Sequence, residues 1–354
     1  MSILEETLAA IEAPDADAAR RAAVRLDSLT KPRGSLGYLE EIVRRYAAVR
    51  HDDSARDGRG VLAVFVADHG VADAGVSAYP KAVTVEMLRN IGAGGAAISV
   101  LARRFGYELI VTDVGVETDT SATPFEGVRY RRVATGTRNM LDGPAMTTAQ
   151  TRHAIEIGIE TAREAAAAGA MLLGIGEMGI ANSTPATAIL AAISGIEPAR
   201  MAGRGTGVDD HALARKIEVI ERALRLHRAS LGDGLSMLAA IGGLEIAAMT
   251  GSCLGAAAAR VPVVVDGFIA TAAAAAAERI RPGIREHLFF SHRSAEGGHA
   301  LALQAMGVRA ILDLDMRLGE GSGAAIAMSV IQAALALFHE MATFESAGVS
   351  GKIE

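Results

Sequence analysis

Short apolar runs recur along the middle of the chain, and helical sequence generally separates each run from the next. The six runs are Gly60–Val66, Tyr107–Val114, Ala170–Ile175, Val261–Val265, His287–Ser291 and Arg309–Leu314. Buried parallel strands are typically continuous apolar runs of this kind, and the helices between them are crossover connections. We therefore predict an α/β fold, with a parallel sheet covered by helices on both faces.

The two ends of the chain have a helical pattern instead. Residues up to 50 indicate helices with a break at LTKPRGSLG, where Pro32 and two glycines predict a loop. The next segment, GYLEEIVRRYAAVR, has its apolar side chains at helical spacing. We predict that residues 1–50 and 330–354 form a small helical domain and that residues 51–329 form a large α/β domain.

Polar residues follow the apolar runs at their carboxyl ends. In an open, Rossmann-like parallel sheet these ends share one edge, and ligands bind there. The residues predicted to lie on this edge are Asp68, His69, Glu177, Asp266, His292 and Glu320.

Glu320 belongs to the segment Leu312–Gly323, LDLDMRLGEGSG, which precedes an Ala-rich helix. Its glycines permit positive φ and allow the backbone to approach a ligand closely. A helix that begins after a tight turn presents free N–H groups to an anion. Glu320 is therefore either a charged side chain held beside a small molecule or a solvated residue of a glycine-rich turn.

Composition and charge narrow the class of protein. Half of the 354 residues are hydrophobic, but 4% are aromatic and there is no Trp, which suits buried strands and close-packed helices. The formal net charge is −6 with both signs interspersed, and the basic segment VRYRRV alternates with apolar residues as a surface strand does. We expect no nucleic-acid groove.

The lone cysteine, Cys253, has no partner for an intrachain disulfide or a structural zinc site, which fits a reducing compartment. The acidic, amphipathic N-terminal segment does not resemble a signal peptide. The Ala-rich runs contain Glu, Arg or Gly within membrane-spanning length, so we expect no transmembrane helix. A cytoplasmic protein is predicted.

Glycine-rich loops supply candidate phosphate sites. In GIGEMGIANSTPATA a predicted strand leads through Gly176 and Gly179 into a helix, whose first N–H groups suit a phosphate. The segment is not a Walker A motif, and it matches GxGxxG only in its letters, because Glu177 would face the phosphates. A second loop, GRGTGVDD, precedes a helix that carries Lys216. The alternatives are a close-packed turn for the first loop and a solvated helix face for Lys216.

The sequence gives little support for a metal site or for the catalytic triad of a hydrolase. The segment SHRSAEGGHALAL carries His292 and His299, but their spacing is neither HxxxH nor HExxH and no third ligand follows. We therefore expect no metal. Asp68, His69 and Asp73 would permit a Ser-His-Asp hydrolase, but the chain has no GxSxG elbow.

Seven segments taken together resemble one enzyme family. In chain order they are LTKPRGSLGYLE, ADHGVADAGVSAYPK, GIGEMGIANSTPATA, GRGTGVDD, VVDGFIA, SHRSAEGGHALAL and LDMRLGEGSGAA, over residues 29 to about 330. Each is modest alone, but their order over most of the chain is highly specific. They resemble the nicotinate-nucleotide:5,6-dimethylbenzimidazole phosphoribosyltransferases of cobalamin biosynthesis. That family moves the 5-phosphoribosyl group of nicotinate mononucleotide onto a benzimidazole nitrogen, giving α-ribazole 5′-phosphate and nicotinate.

The resemblance implies roles for matching positions. Glu320 corresponds to the general base and Glu177 to a second active-site carboxylate. The implied phosphate and nucleotide contacts are Gly176, Met178, Gly179, Gly205, Thr206, Lys216 and Ser294, and the implied base pocket is Pro32, Tyr79, Met87 and Leu318. Some members have smaller or more polar residues where this chain has Tyr79 and Met87, so the exact base stays open. The resemblance also implies a homodimer and no metal or cofactor.

The chemistry agrees with this reaction. When one benzimidazole nitrogen attacks C1′ of the ribose, the ring becomes cationic unless the other nitrogen loses its proton, which a single carboxylate can accept. Nicotinate leaves readily because its ring nitrogen is already positively charged, and positioning of the two substrates supplies most of the remaining catalysis. Two alternatives stay open. GIGEMG would suit a Rossmann-type nucleotide-binding protein or oxidoreductase, and a non-catalytic nucleotide sensor is disfavoured by the presence of both Glu177 and Glu320.

Overall fold

A seven-stranded parallel sheet is the centre of the computed structural model, which describes residues 1–54, 58–120, 122–205 and 207–350. The strand order is β3-β2-β1-β4-β5-β6-β7. The strands are β1 (Gly60–Ala67), β2 (Glu108–Gly115), β3 (Val128–Tyr130), β4 (Leu172–Met178), β5 (Val263–Val265), β6 (Leu288–His292) and β7 (Ala310–Leu312). All six predicted strands are confirmed. The remaining strand, β3, is the basic segment at one edge of the sheet.

Helices cover both faces of this sheet, as predicted. On one face lie α1 (Ile3–Ala10), α6 (Thr148–Ala167), α7 (Ser183–Ser194), α8 (Pro198–Met201), α9 (Asp210–Leu226), α10 (Gly234–Ile241), α11 (Leu244–Ala258), α12 (Phe268–Ile280) and α13 (His299–Met306). On the other face lie α2 (Ala16–Ser28), α3 (Tyr38–Arg50), α4 (Ala82–Gly92), α5 (Ala97–Phe105) and α14 (Ser322–Glu340), and the short α15 (Phe344–Ala347) follows.

Alternate residues of each strand supply the two hydrophobic clusters. In β1, Val61 and Phe65 belong to the cluster on the α6 side, whereas Leu62 and Val64 belong to the cluster on the α14 side. A strand with both faces covered needs apolar residues at every position, because successive side chains point to opposite faces. This is why the strands are continuous apolar runs in the sequence.

Small residues allow the helices to pack closely without aromatic side chains. A Cβ atom at Gly158 of α6 would lie 1.8 Å from the carbonyl oxygen of Ala248 in α11. A Cβ atom at Gly251 of α11 would lie 1.9 Å from the carbonyl oxygen of Ile155 in α6. The backbones of α6 and α11 are therefore in direct contact, which explains how a core so poor in aromatic residues is filled.

The terminal helices share their hydrophobic contacts with the sheet. Buried residues of α2, α3 and α14 belong to one cluster with strand residues, and α1 packs on the opposite face. A single antiparallel bridge joins Leu29 to Thr343 and connects the two ends of the chain. Helix α14 continues across residue 330, and the division into two domains stays a prediction.

Helix α14 is, among the described residues, the one helix long and apolar enough to cross a membrane by length and composition. Inside the protein, however, 56% of that apolar window is buried. Ala324, Met328 and Ile331 lie in the cluster that also contains Leu62 and Val264 of the sheet. This is the environment of a core helix.

The sheet has one topological switch point, between β1 and β4. From β1 the chain proceeds outward through β2 and β3, and from β4 it proceeds outward in the other direction through β5, β6 and β7. The loops at the carboxyl ends of β1 and β4 therefore diverge and leave a crevice between them.

Candidate active site

A cavity of about 310 Å³ opens at the carboxyl edge of the sheet, beside the end of β4. Its walls come from the loops that follow β4, β5, β6 and β7, with contributions from the segment before α4 and the loop before α9. Seven of the predicted site residues line it, namely Glu177, Met178, Gly179, Gly205, Ser294, Tyr79 and Leu318. The cavity is thus lined by residues from both the implied nucleotide set and the implied base-pocket set.

Glu320 is held directly against the end of β4. Its backbone N–H donates to the carbonyl oxygen of Glu177 at 3.2 Å. A Cβ atom at Gly176 would lie 2.3 Å from the nitrogen of Gly321, so only glycine permits this approach. Glu320 itself has φ 62°, between two glycines that also have positive φ. A non-glycine residue in this conformation costs free energy, which the surrounding contacts must offset.

Asp266 supplies such contacts from the end of β5. Its carboxylate accepts the backbone N–H of Gly321 at 3.0 Å and that of Ala324 at 2.9 Å. The residue is 2% exposed. Helix α14 has no side-chain cap of its own at Gly321, so Asp266 satisfies the N-terminus of α14 from another element of the fold. The Glu320 turn is thereby fixed to the edge of the sheet.

Burial raises the pKa of three carboxyl groups in this region, those of Glu177, Asp266 and Glu320. The pKa of Glu177 rises to about 8 because the side chain is buried, although a hydrogen bond from Asn182 opposes the shift. Burial also raises the pKa of Glu320, against a hydrogen bond from the backbone of Ile98 and with a further increase from the charge of Asp266. Asp266 is raised to a pKa of about 6 by burial, against several backbone hydrogen bonds. Glu177 and Asp266 therefore exchange protons close to neutral pH, and the pKa of Glu320 lies above its ordinary value.

Lys216 does not lie on a solvated helix face. It is 1% exposed, and its Nζ donates to Ser183 Oγ at 2.9 Å and to the carbonyl oxygen of Gly203 at 3.0 Å. The carboxylate of Glu296 lies 3.9 Å from Nζ and accepts the backbone N–H of Gly205 at 2.9 Å. Lys216 is thus behind the cavity wall, where its positive charge supports the Ser183 and Gly205 loops.

Ser294 is held by His299, one of the two histidines considered as metal ligands. The backbone N–H of Ser294 donates to His299 Nδ1 at 2.8 Å, so the ring proton is on Nε2, which lies 2.9 Å from Thr271 Oγ1. Burial lowers the pKa of His299 to about 3. Within the described parts of the chain, no three His, Cys, Asp or Glu side chains are grouped so as to hold a metal ion.

The remaining predicted residues lie elsewhere. Gly176 is beneath the Glu320 turn, and Met87 is half-buried against the hydrophobic cluster on the α14 side. Pro32 is exposed in the loop before α3. The cavity lining, taken over the described residues, includes Gly319 but not Glu320 itself, and it also lacks Gly176, Lys216, Met87 and Pro32. Thr206 lies outside the described residues.

Several cavity residues were not predicted as site residues. Asn182 donates to the Glu177 carboxylate, Glu296 accepts from Gly205, and Arg204 and Arg317 line the cavity. Asn182 was foreseeable, because it lies in the glycine loop after β4. Glu296 lies in the segment SHRSAEGGHALAL, but its contacts were not foreseeable, since its partners Lys216 and Gly205 are far from it along the chain.

A cavity at the switch point of a parallel sheet, lined by carboxylates and by a lysine-supported glycine loop, is the arrangement of an α/β enzyme for a small anionic ligand. A family model described as phosphoribosyltransferase matches residues 11–349. The nicotinate-nucleotide–dimethylbenzimidazole phosphoribosyltransferase of Geobacter sp. (strain M21) is 49% identical over 350 residues, covering 99% of this chain and 100% of the relative. That of Chloroflexus aggregans is 50% identical over 354 residues, with complete coverage of both chains.

Solved structures agree. The crystal structure of CobT from Thermus thermophilus has a TM-score of 0.89 and 45% identity, covering 94% of this chain and 99% of that one. The chain belongs to the nicotinate-nucleotide–dimethylbenzimidazole phosphoribosyltransferase family.

Proposed function

We propose that this protein transfers the 5-phosphoribosyl group of nicotinate mononucleotide to 5,6-dimethylbenzimidazole or a related base, in the assembly of the nucleotide loop of cobalamin. The products are α-ribazole 5′-phosphate and nicotinate. One observation carries the proposal: the backbones of Glu177 and Glu320 are hydrogen-bonded to each other beside a cavity that the Lys216-supported loop also lines.

Glu320 is the general base. It accepts the proton of the benzimidazole N–H as the other ring nitrogen attacks C1′. The raised pKa of Glu320 supports this role, because a base works best when its pKa is close to the operating pH. Glu177 is the second carboxylate. The positive charge of the pyridinium ring favours ionisation of a nearby carboxyl group, so nucleotide binding promotes the ionised form of Glu177.

The phosphate of the nucleotide binds against Gly179, Gly205 and Ser294. These residues line the cavity, as does Ser183 at the start of α7. The N-terminus of a helix and the buried charge of Lys216 both favour an anion. The benzimidazole binds towards Tyr79 and Leu318, which are more than half exposed at the mouth of the cavity.

We further propose that the enzyme is a cytoplasmic homodimer that needs no metal or cofactor. Size measurement in solution at several protein concentrations tests the dimer. A single dominant monomeric species at micromolar concentration would contradict it.

The reaction is tested by incubating the protein with nicotinate mononucleotide and dimethylbenzimidazole in the presence of EDTA. We expect stoichiometric formation of nicotinate and α-ribazole 5′-phosphate by chromatography. Omission of the base controls for hydrolysis of the nucleotide. Nicotinate release that does not depend on the base, or the absence of any product, would contradict the proposal. Binding of NAD(P)H without glycosyl transfer would favour the oxidoreductase alternative.

A further inference from the structure

His292 lies at the carboxyl end of β6 and lines the cavity, but no role above uses it. Its side chain is 1% exposed. Within the described part of the chain, its Nε2 atom is buried and has no hydrogen-bond partner. Because an unsatisfied buried polar atom is costly, such an atom in a cavity wall indicates a ligand that satisfies it.

The hydrogen bonds of the neighbouring serine determine which ring nitrogen carries the proton. Ser291 Oγ donates to the carbonyl oxygen of Asp266 at 2.8 Å, which uses the hydroxyl proton of Ser291. The same Oγ lies 2.9 Å from His292 Nδ1. Nδ1 must therefore be protonated and donate to Ser291. Since burial lowers the pKa of His292, the ring is neutral and Nε2 is a hydrogen-bond acceptor.

Two glycines hold the ring in this orientation. A Cβ atom at Gly323, in the first turn of α14, would lie 2.1 Å from His292 Nδ1. A Cβ atom at Gly267 would lie 3.4 Å from Nε2, and Gly267 itself lines the cavity. Nδ1 is therefore next to the start of α14, and Nε2 is next to a loop that lines the cavity.

We propose that Nε2 of His292 accepts a hydrogen bond from a ribose hydroxyl of the bound nucleotide. The inference rests on the proposed function, because it takes nicotinate mononucleotide as the ligand. That ligand has few donors. Its phosphate and carboxylate are ionised at pH 8, and its ring nitrogen bears the ribose instead of a proton, so the two ribose hydroxyls are the donors it offers.

The position of His292 agrees with ribose recognition. It precedes Ser294 of the phosphate wall by two residues, and its Nδ1 lies 3.9 Å from the carboxylate of Asp266, which holds the Glu320 turn. His292 is therefore between the two ends of the site. The ribose hydroxyls lie between the phosphate and the reacting carbon C1′ of the nucleotide. His292 has the corresponding place in the protein, between Ser294 and the Glu320 turn.

The test is calorimetric titration of nicotinate mononucleotide and its 2′-deoxy and 3′-deoxy analogues at pH 8. The proteins are the wild type, His292→Asn and His292→Gln. Asn places its amide where Nδ1 lies and keeps the bond to Ser291 but has no atom at Nε2, whereas Gln can place its amide oxygen there. His287→Asn is the matched control, because His287 is also buried but precedes β6 at its other end.

In the wild type we expect one deoxy analogue to bind about tenfold more weakly than the intact nucleotide, as for a lost buried hydrogen bond. In His292→Asn the nucleotide and this analogue should bind with equal affinity. His292→Gln should restore part of the tenfold difference, and His287→Asn should keep all of it. The proposal about His292 alone is overturned by either of two results. The wild type and His292→Asn both bind the nucleotide and show the same affinity ratio between it and the deoxy analogue, or the wild type binds both deoxy analogues as tightly as the nucleotide. A wild type that neither binds nor converts nicotinate mononucleotide overturns the proposed function and this inference together.

Discussion

Replacement of Glu177 by Gln should stabilise the unliganded protein at neutral pH, even though it removes a site residue. Burial raises the pKa of Glu177 from 4.5 to about 8. Between these two values the folded protein holds a proton that the unfolded chain has lost. The free energy of unfolding therefore falls as the pH rises through this window, by about 1.4 kcal/mol per pH unit. A glutamine does not titrate, so Glu177→Gln lacks the part of this dependence that Glu177 contributes, whereas Asp266 and Glu320 contribute to both proteins alike.

The size of the effect follows from the two pKa values. At pH 5 the cost of keeping Glu177 buried is below about 1 kcal/mol, and at pH 7 it reaches roughly 3 kcal/mol. The glutamine oxygen can still accept the hydrogen bond that Asn182 donates to this side chain. The variant should thus gain about 2 to 3 kcal/mol relative to the wild type between pH 5 and pH 7.

Urea unfolding at pH 5, 6 and 7 measures this gain. Glu218→Gln is the control, since Glu218 is exposed on α9 and the same substitution there should give a curve parallel to that of the wild type. Parallel curves for the wild type and Glu177→Gln over this range would refute the reasoning, because the buried carboxyl group would then titrate as it does in the unfolded chain.

Four substitutions test the rest of the site. Glu320→Gln should lower kcat by roughly 10²- to 10⁴-fold while both substrates still bind, and Glu177→Gln must be compared with it in steady-state assays. Lys216→Ala should raise the KM for nicotinate mononucleotide about tenfold, because the lysine supports the phosphate wall. Asp266→Asn should lower kcat about tenfold or more, with little change in that KM, since it loosens the Glu320 turn. Gly176→Ala should fold but lose most of its kcat, because the added methyl group displaces Gly321.

Matched variants separate these effects from general damage. Asp233→Asn removes the charge of a carboxylate that accepts the Ser236 N–H at the start of α10, and Gly232→Ala adds a methyl group with no atom within 4 Å. Both should keep the wild-type kcat. A near-normal kcat of Glu320→Gln at saturating substrate would show that Glu320 is not the general base. If Glu177→Gln alone loses activity, Glu177 is the base and Glu320 is the second carboxylate. An unchanged KM in Lys216→Ala, or an unchanged kcat in Asp266→Asn or Gly176→Ala, contradicts the corresponding geometry.

The strands were predictable because both faces of the sheet are covered. Each strand must be apolar at every position, so even short segments such as Val263–Val265 are recognisable. The exact residues at which the strands end were less predictable. The apolar run that ends at Ile175 continues as a strand to Met178, because Glu177 pairs with Phe65 of β1. Pairing with a neighbouring strand thus extends β4 beyond what its own composition indicates.

The polar edge of the sheet was predictable as a set, because parallel strands place their carboxyl ends together. Its internal contacts were not. Asp266 bonds to Gly321 and Ala324, and Glu296 bonds to Gly205, in each case across a long stretch of chain. The burial of Lys216 was also hidden, since helical periodicity indicates a face but not the loop that covers it. Such contacts depend on how segments that are distant along the chain pack together, and the local patterns of a single sequence do not indicate this packing.

The glycines of β4 have a consequence for how this enzyme can change. Because Gly174 and Gly176 bring the start of α14 and the Glu320 turn onto the strand backbone, the spacing of the two carboxylates depends on main-chain contacts. Tyr79 and Leu318 contribute exposed side chains at the mouth of the cavity. Under the proposed placement of the base at Tyr79 and Leu318, substitutions at the mouth should change which aromatic base is accepted while the spacing of Glu177 and Glu320 stays the same. Libraries that vary positions 79 and 318 with the β4 glycines kept are a direct route to variants that attach other bases.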